Sequence, residues 1–216
     1  MNRVLVTGFG AYGQEADNPS GLIARRLDGQ RIDGYDIMGC VLPVDTAAVR
    51  GALSEAIGSA CPEVIVVTGV APGRTAPALE RVAINVRDFP IADNDGRTPV
   101  DEPVEPGAPA AYLSTLPIKA IVDGWRRVGI PGYVSNTAGT YLCNQTFYLA
   151  RHLAQGSSAR AGMLHIPVTP TRAVATGAPP PPSMTLDQLE DAVRLAISIT
   201  TRHVGPDLRI GGGAIS

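Results

Sequence analysis

The stretch Glu63-Val64-Ile65-Val66-Val67-Thr68 sets four branched apolar residues in succession, with no polar alternation. A strand with one wet face alternates apolar and polar side chains; a strand covered on both faces does not. The stretch therefore predicts a parallel strand inside a sheet, with helices above and below. Residues 3–7 (RVLVT) read as a second buried strand and residues 35–42 as a third. Asn18-Pro19-Ser20 opens a helix, with proline tolerated in the first turn. Asp45 can cap a helix whose Val49, Leu53, Ala56 and Ile57 keep helical spacing. Further on, residues 79–86 read as extended, 118–128 as helix, 132–135 as strand, 145–153 as helix and 163–166 as strand. Thr185-Leu186-Asp187-Gln188 fits a capping box for a last helix reaching about His203. Residues 87–117, rich in Pro, Asp and Gly, read as a long irregular excursion, 167–183 as a mobile loop, and 205–216 as a flexible tail. Repeated strand–helix order predicts the α/β class: a single domain over residues 1–216, built as a three-layer α/β/α open sandwich with a mixed, mostly parallel twisted sheet. Sites in such folds lie beyond the carboxyl ends of the strands.

Composition narrows the function. The 216 residues carry a formal net charge of −2, and 18% are charged, which offers no basic surface to a phosphate backbone. No apolar run approaches the ~18 residues of a membrane helix. The opening MNRVLVTGFG has a short apolar run that leads straight into the first strand, so no signal peptide is expected. Three cysteines, an odd number, make no disulfide framework and point to a reducing cytoplasm. No C-x-x-C or H-E-x-x-H spacing supports a metal site.

Gly8-Phe9-Gly10-Ala11-Tyr12-Gly13 is a literal G-x-G-x-x-G after the first strand. A dinucleotide-binding turn needs a helix to open inside the motif, so that its N-terminus faces pyrophosphate. Here Gln14-Glu15-Ala16-Asp17-Asn18 follows, which reads as loop until Pro19. An acid near the end of the second strand is also missing: Asp33 and Asp36 come before it or at its start. The glycines instead let a loop fold tightly at the strand end. Phe9 and Tyr12 become exposed aromatics that can line a small apolar pocket.

Among the cysteines, Cys40 falls in an apolar strand and reads as a small buried hydrophobe. Cys61 precedes Pro62 at a helix end and also reads as structural. Cys143 precedes a helix starting near Asn144, where orphan N–H groups and the macrodipole favour a thiolate. Its base is sought among three histidines. His152 follows on the same helix, more than ~13 Å along and on the opposite face, out of reach. His203 sits at a helix C-terminus, where a cation is favourable without any catalytic role. His165 ends a strand just before Pro167, where an α/β sheet presents its site. A carboxylate should orient the imidazole. Glu80 sits among small and apolar residues, but spacing does not separate it from Asp93, Asp95 or Asp101, and without a catalytic role it reads as a solvated carboxylate or as the partner of a nearby arginine.

The segment 134–144, Val-Ser-Asn-Thr-Ala-Gly-Thr-Tyr-Leu-Cys-Asn, resembles the nucleophile motif of the pyrrolidone-carboxylate peptidases (pyroglutamyl peptidase I), a family of cysteine peptidases. Gly73-Arg74 with Leu79-Glu80-Arg81 resembles that family's acidic segment, and Leu164-His165-Ile166-Pro167 its histidine segment. Thr7-Gly8-Phe9, Asn18-Pro19-Ser20, Asp93-Asn94 and Asp101-Glu102-Pro103 match elsewhere, so the likeness runs from Val4 to about Pro170. The resemblance implies removal of N-terminal pyroglutamyl residues from peptides by Cys143, His165 and Glu80 through a thioester, with no cofactor and no metal. It also implies a cytoplasmic homotetramer that binds neither nucleic acid nor membrane. By family position Phe9, Tyr12, Val70, Ile91, Tyr141 and Leu142 line the substrate pocket. Three departures stand out: Gly10-Ala11-Tyr12-Gly13 replaces an acid-Pro-Phe-Gly stretch, Val70 a glutamine, and Pro90 an arginine. They leave two other readings open: a related thiol hydrolase with altered substrate preference, and a non-catalytic small-molecule binder on the same fold.

Overall fold

Strands and helices alternate along the chain: β1 (Arg3–Phe9), α1 (Pro19–Leu27), β2 (Arg31–Ile32), β3 (Tyr35–Leu42), α2 (Ala48–Ala60), β4 (Val64–Val70), β5 (Ala78–Glu80), β6 (Val82–Ile84), β7 (Ala111–Leu113), α3 (Ile118–Arg127), β8 (Tyr133–Ser135), α4 (Leu142–Leu153), β9 (Arg160–Ile166), α5 (Pro170–Thr176) and α6 (Leu186–Arg202). These come from a computed structural model, which describes residues 2–13 and 17–213.

The main sheet has the order β2-β3-β1-β4-β9-β5-β8. Strands β3, β1, β4 and β9 run parallel, while β5 pairs antiparallel with β9 and parallel with β8. Unbroken burial along β1 and β4 follows from helices on both faces. Val4, Val6, Val64 and Val66 pack with Ile23 of α1, Trp125 of α3 and Ile197 of α6. Leu5, Phe9, Ile65 and Val67, one residue out of phase, pack with Leu53 of α2 and Phe147 of α4. The three-layer mixed sheet expected from the sequence is thus the architecture observed. Among the described residues no helix is long and apolar enough to cross a membrane.

Close approaches explain several glycines. A Cβ on Gly8 would lie 2.0 Å from the Ser20 carbonyl oxygen, and one on Gly21 2.3 Å from that of Phe9. Gly8 of the G-x-G-x-x-G lets α1 press against the end of β1, and α1 opens only at Pro19, outside the motif. Asn18 caps α1 by accepting from the Ser20 N–H at 3.1 Å. The expected capping box of α6 is formed, with Thr185 accepting from the Gln188 N–H. Asp45 accepts from the N–H groups of Ala47 and Ala48 at the start of α2.

Elsewhere the structure corrects the sequence reading. The irregular excursion contains β7, which pairs antiparallel with β6 as a separate two-stranded sheet. The loop over 167–183 contains α5. Phe9 is buried at 4% exposure rather than exposed, because as the last residue of β1 it packs into the cluster with Leu5, Leu42 and Phe147. Residues 205–213 lie along the surface: Asp207 accepts from the N–H groups of Lys119 and Ala120 at the start of α3, and Gly212 accepts from Arg81. The loop reading at Gln14, Glu15 and Ala16, and the end of the tail at 214–216, lie outside the described residues.

Candidate active site

Sheet register assembles one side of the site. His165, near the end of β9, lies opposite Gly69 of β4 and Ala78 of β5. Paired residues share a face, so two small neighbours leave room around the imidazole. Glu80 sits two residues beyond Ala78, on that same face and diagonal to His165, within reach of a long side chain. Its Oε1 lies 2.8 Å from His165 Nδ1. Both residues are buried. Glu80 is therefore the carboxylate that meets the histidine. Asp93 instead accepts from the N–H groups of Thr46, Asp95 and Arg97 and ties down a loop. Asp95 pairs with Arg97, and Asp101 occupies an exposed turn with positive φ.

Arg74 completes this side. It donates to the same Glu80 Oε1 at 2.9 Å, to the Tyr133 hydroxyl at 2.8 Å and to the Thr137 carbonyl at 3.2 Å. Glu80 is thus both imidazole partner and arginine partner, and its full burial overturns the reading as a solvated carboxylate. Arg74 also links the carboxylate to the loop that delivers the cysteine.

That loop runs from β8 to α4. Ser135 accepts from the Thr137 N–H, Gly139 takes φ +76°, and the Thr140 hydroxyl donates to the Asp88 carbonyl at 2.7 Å. Cys143 then falls in the first turn of α4, which starts at Leu142, slightly earlier than the sequence predicts. Asn144 anchors the helix, accepting from the Ile84 N–H and donating to the carbonyls of Ile84 and Val86. A Cβ on Gly69 would come within 2.8 Å of Cys143 Sγ, so only glycine at that position leaves room for the sulfur over the sheet. The Cys143 thiol lies close enough to His165 to influence its titration. Burial disfavours the imidazolium, but the influence of Cys143, followed by that of Glu80, outweighs it and raises His165 to about 9. The first-turn N–H groups of a helix have no intrahelical acceptors, so those beside Cys143 are available to a developing anion.

The other sulfurs and imidazoles lie apart. Burial pushes the Cys40 thiol up, as do the charges of Glu55 and Asp28. Cys61 donates to the Gly58 carbonyl at the end of α2. His152 bonds Tyr112, and His203 bonds the Pro206 carbonyl.

Beside the thiol lies a cavity of about 190 Å³. Phe9, Tyr12, Val70, Ile91, Tyr141 and Leu142 all line it, with Cys143 itself. Asn18, Val44, Pro72 and Arg172 also line it and escaped the sequence reading. Only Asn18 carried a signal, in its helix-opening motif; Arg172 lay in the stretch read as loop. The hydroxyls of Tyr12 and Tyr141 both donate to the Ala92 carbonyl, at 2.9 and 3.1 Å, and so hold the backbone next to Ile91. Pro90 is exposed and takes no part in the lining.

Residues 2–203 match the family described as pyroglutamyl peptidase. A protein of Ralstonia nicotianae named pyrrolidone-carboxylate peptidase 1 is 46% identical over 217 residues, covering all of both chains. The pyrrolidone-carboxylate peptidase of Pyrococcus furiosus is 41% identical, covering 94% of this chain and 99% of its own. The solved structure of pyrrolidone carboxyl peptidase from Thermococcus litoralis superimposes with a TM-score of 0.93 at 35% identity, over 98% of this chain and all of that one.

Proposed function

We propose that this chain, which belongs to the pyroglutamyl peptidase family and is a cysteine peptidase, removes N-terminal pyroglutamyl residues from peptides with Cys143, His165 and Glu80. Pyroglutamate is a neutral lactam without a free α-amine. A pocket that selects it should be small, apolar and free of the carboxylate that an ordinary N-terminal ammonium would require. The observation that carries the reading is the cavity beside Cys143: about 190 Å³, walled by Phe9, Val70, Ile91 and Leu142, with no acidic side chain among its described lining residues.

The Cys143 thiolate attacks the pyroglutamyl carbonyl carbon, and the N–H groups in the first turn of α4 receive the oxyanion. Glu80 holds His165 by Nδ1, which leaves Nε2 for the reaction. As the tetrahedral species collapses, the imidazolium gives its proton to the leaving amine and the C–N bond breaks. The neutral imidazole then takes a proton from water, whose oxygen attacks the thioester; pyroglutamate leaves and the thiolate returns.

Hydrolysis of pyroglutamyl-aminocoumarin beside alanyl- and prolyl-aminocoumarin tests the reading. The expected result is cleavage of the pyroglutamyl substrate alone, abolished by iodoacetamide. Cleavage of the alanyl or prolyl substrate with the pyroglutamyl one left intact would overturn it.

A further inference from the structure

We propose that the groove between α1, α5 and the start of α6 holds the peptide that leaves, a chain with apolar side chains. This deepens, and rests on, the pyroglutamyl-peptidase reading. The groove has a volume of about 770 Å³, against about 190 Å³ for the cavity at Cys143. The smaller space takes one ring; the larger is in the range of sites that enclose ligands of several residues' bulk. Two observations join them. Arg172 lines both, and Asn18 of the cavity is followed directly by Pro19 of the groove.

Chain direction points the same way. His165 is the group that protonates the leaving nitrogen, so the leaving chain starts beside it. Beyond His165 the backbone runs straight into the groove wall, at Thr169 and Pro170. The walls are mainly apolar: Pro19 and Leu22 from α1, Pro170 and Ala175 from α5, and Leu186 from α6. Burying such surface favours apolar side chains, so leucine or phenylalanine after pyroglutamate should be held better than aspartate.

Ala175 and Thr171 are exposed on α5, so a tryptophan at either fills the groove without entering the core. The test compares wild type with Ala175→Trp and Thr171→Trp. Calorimetry with the free tripeptide Leu-Phe-Ala reads the groove without turnover, and both substitutions are expected to weaken its binding at least tenfold. Kinetics add a second readout: kcat/KM for pyroglutamyl-Leu-Phe-Ala relative to pyroglutamyl-aminocoumarin should fall about tenfold in each variant. Tripeptide binding that neither substitution changes, or a kinetic ratio that neither moves, overturns the proposal. A wild type that binds the tripeptide but cleaves neither pyroglutamyl substrate defeats the peptidase reading and leaves the groove standing.

Discussion

On the sheet side of Cys143, His165 and Glu80 are buried, ionisable and bonded to each other, with Arg74 bonded to the same carboxylate oxygen. On the cavity side, Phe9, Val44, Val70 and Leu142 are apolar, and the two tyrosine hydroxyls bond the protein's own backbone at Ala92. The same thiol faces both. In the first region the hydrogen bonds act on charge; in the second they hold walls in place. The division separates two kinetic quantities. Loss on the sheet side should appear in kcat, because it removes groups that act on the reacting bond, whereas loss on the cavity side should appear in KM.

Substitutions break or sharpen that division. The largest effect is expected from Cys143→Ala, which should abolish hydrolysis while Cys40→Ala and Cys61→Ala retain it; an active Cys143→Ala protein would remove the nucleophile from the account. His165→Ala should lose ~10²-fold or more in kcat, the scale of lost acid–base help, with KM nearly unchanged. Stopped assays with saturating pyroglutamyl-aminocoumarin measure it.

Glu80→Gln should lower kcat, since a neutral amide supports imidazolium less well. Its pH profile carries more information. His165 is raised from 6.5 to about 9, so its imidazolium is intact at neutral pH and is lost as pH rises through about 9. Activity should fall along that alkaline limb. Removing the Glu80 charge removes part of what raises His165, so the limb should move to lower pH.

Ile91→Ala should raise KM about fivefold at constant kcat: the removed methylenes are worth about 0.8 kcal/mol each when fully buried, and Ile91 is 52% exposed before a ring covers it. Val70→Gln is the mildest. One added neutral hydrogen bond is worth about 0.5–1.5 kcal/mol, so a shift of about threefold in KM is expected, with the substrate ranking intact. Restoration of pyroglutamyl cleavage by Val70→Gln in a protein otherwise inactive on it would mark Val70 as a change of specificity.

How far the sequence could be read depended on the range of the interaction. The unalternating run at Glu63–Thr68 and the Thr185–Gln188 box are local signals, and both the covered sheet and the cap follow from them. Strand β7 has no such signal: its three residues become a strand only by meeting β6, across the excursion. Helix α5 is short and lies in a proline-rich stretch, so its composition reads as loop. In the site, Cys143 and His165 stood out by position along the chain. Glu80 did not stand apart from three aspartates, because its claim rests on the antiparallel β5–β9 register. Gly69 was equally silent, since its role is to make room for a sulfur that arrives from α4.

The central claim is that His165 is held by Glu80 on one side and raised by Cys143 on the other. Resolved NMR titration of the His165 imidazole, in wild type and in Cys143→Ala, tests it most directly. The account predicts a wild-type midpoint near 9 and a lower one in Cys143→Ala, where only Glu80 is left to offset burial. A wild-type midpoint near 6.5, or one that Cys143→Ala leaves in place, would contradict it.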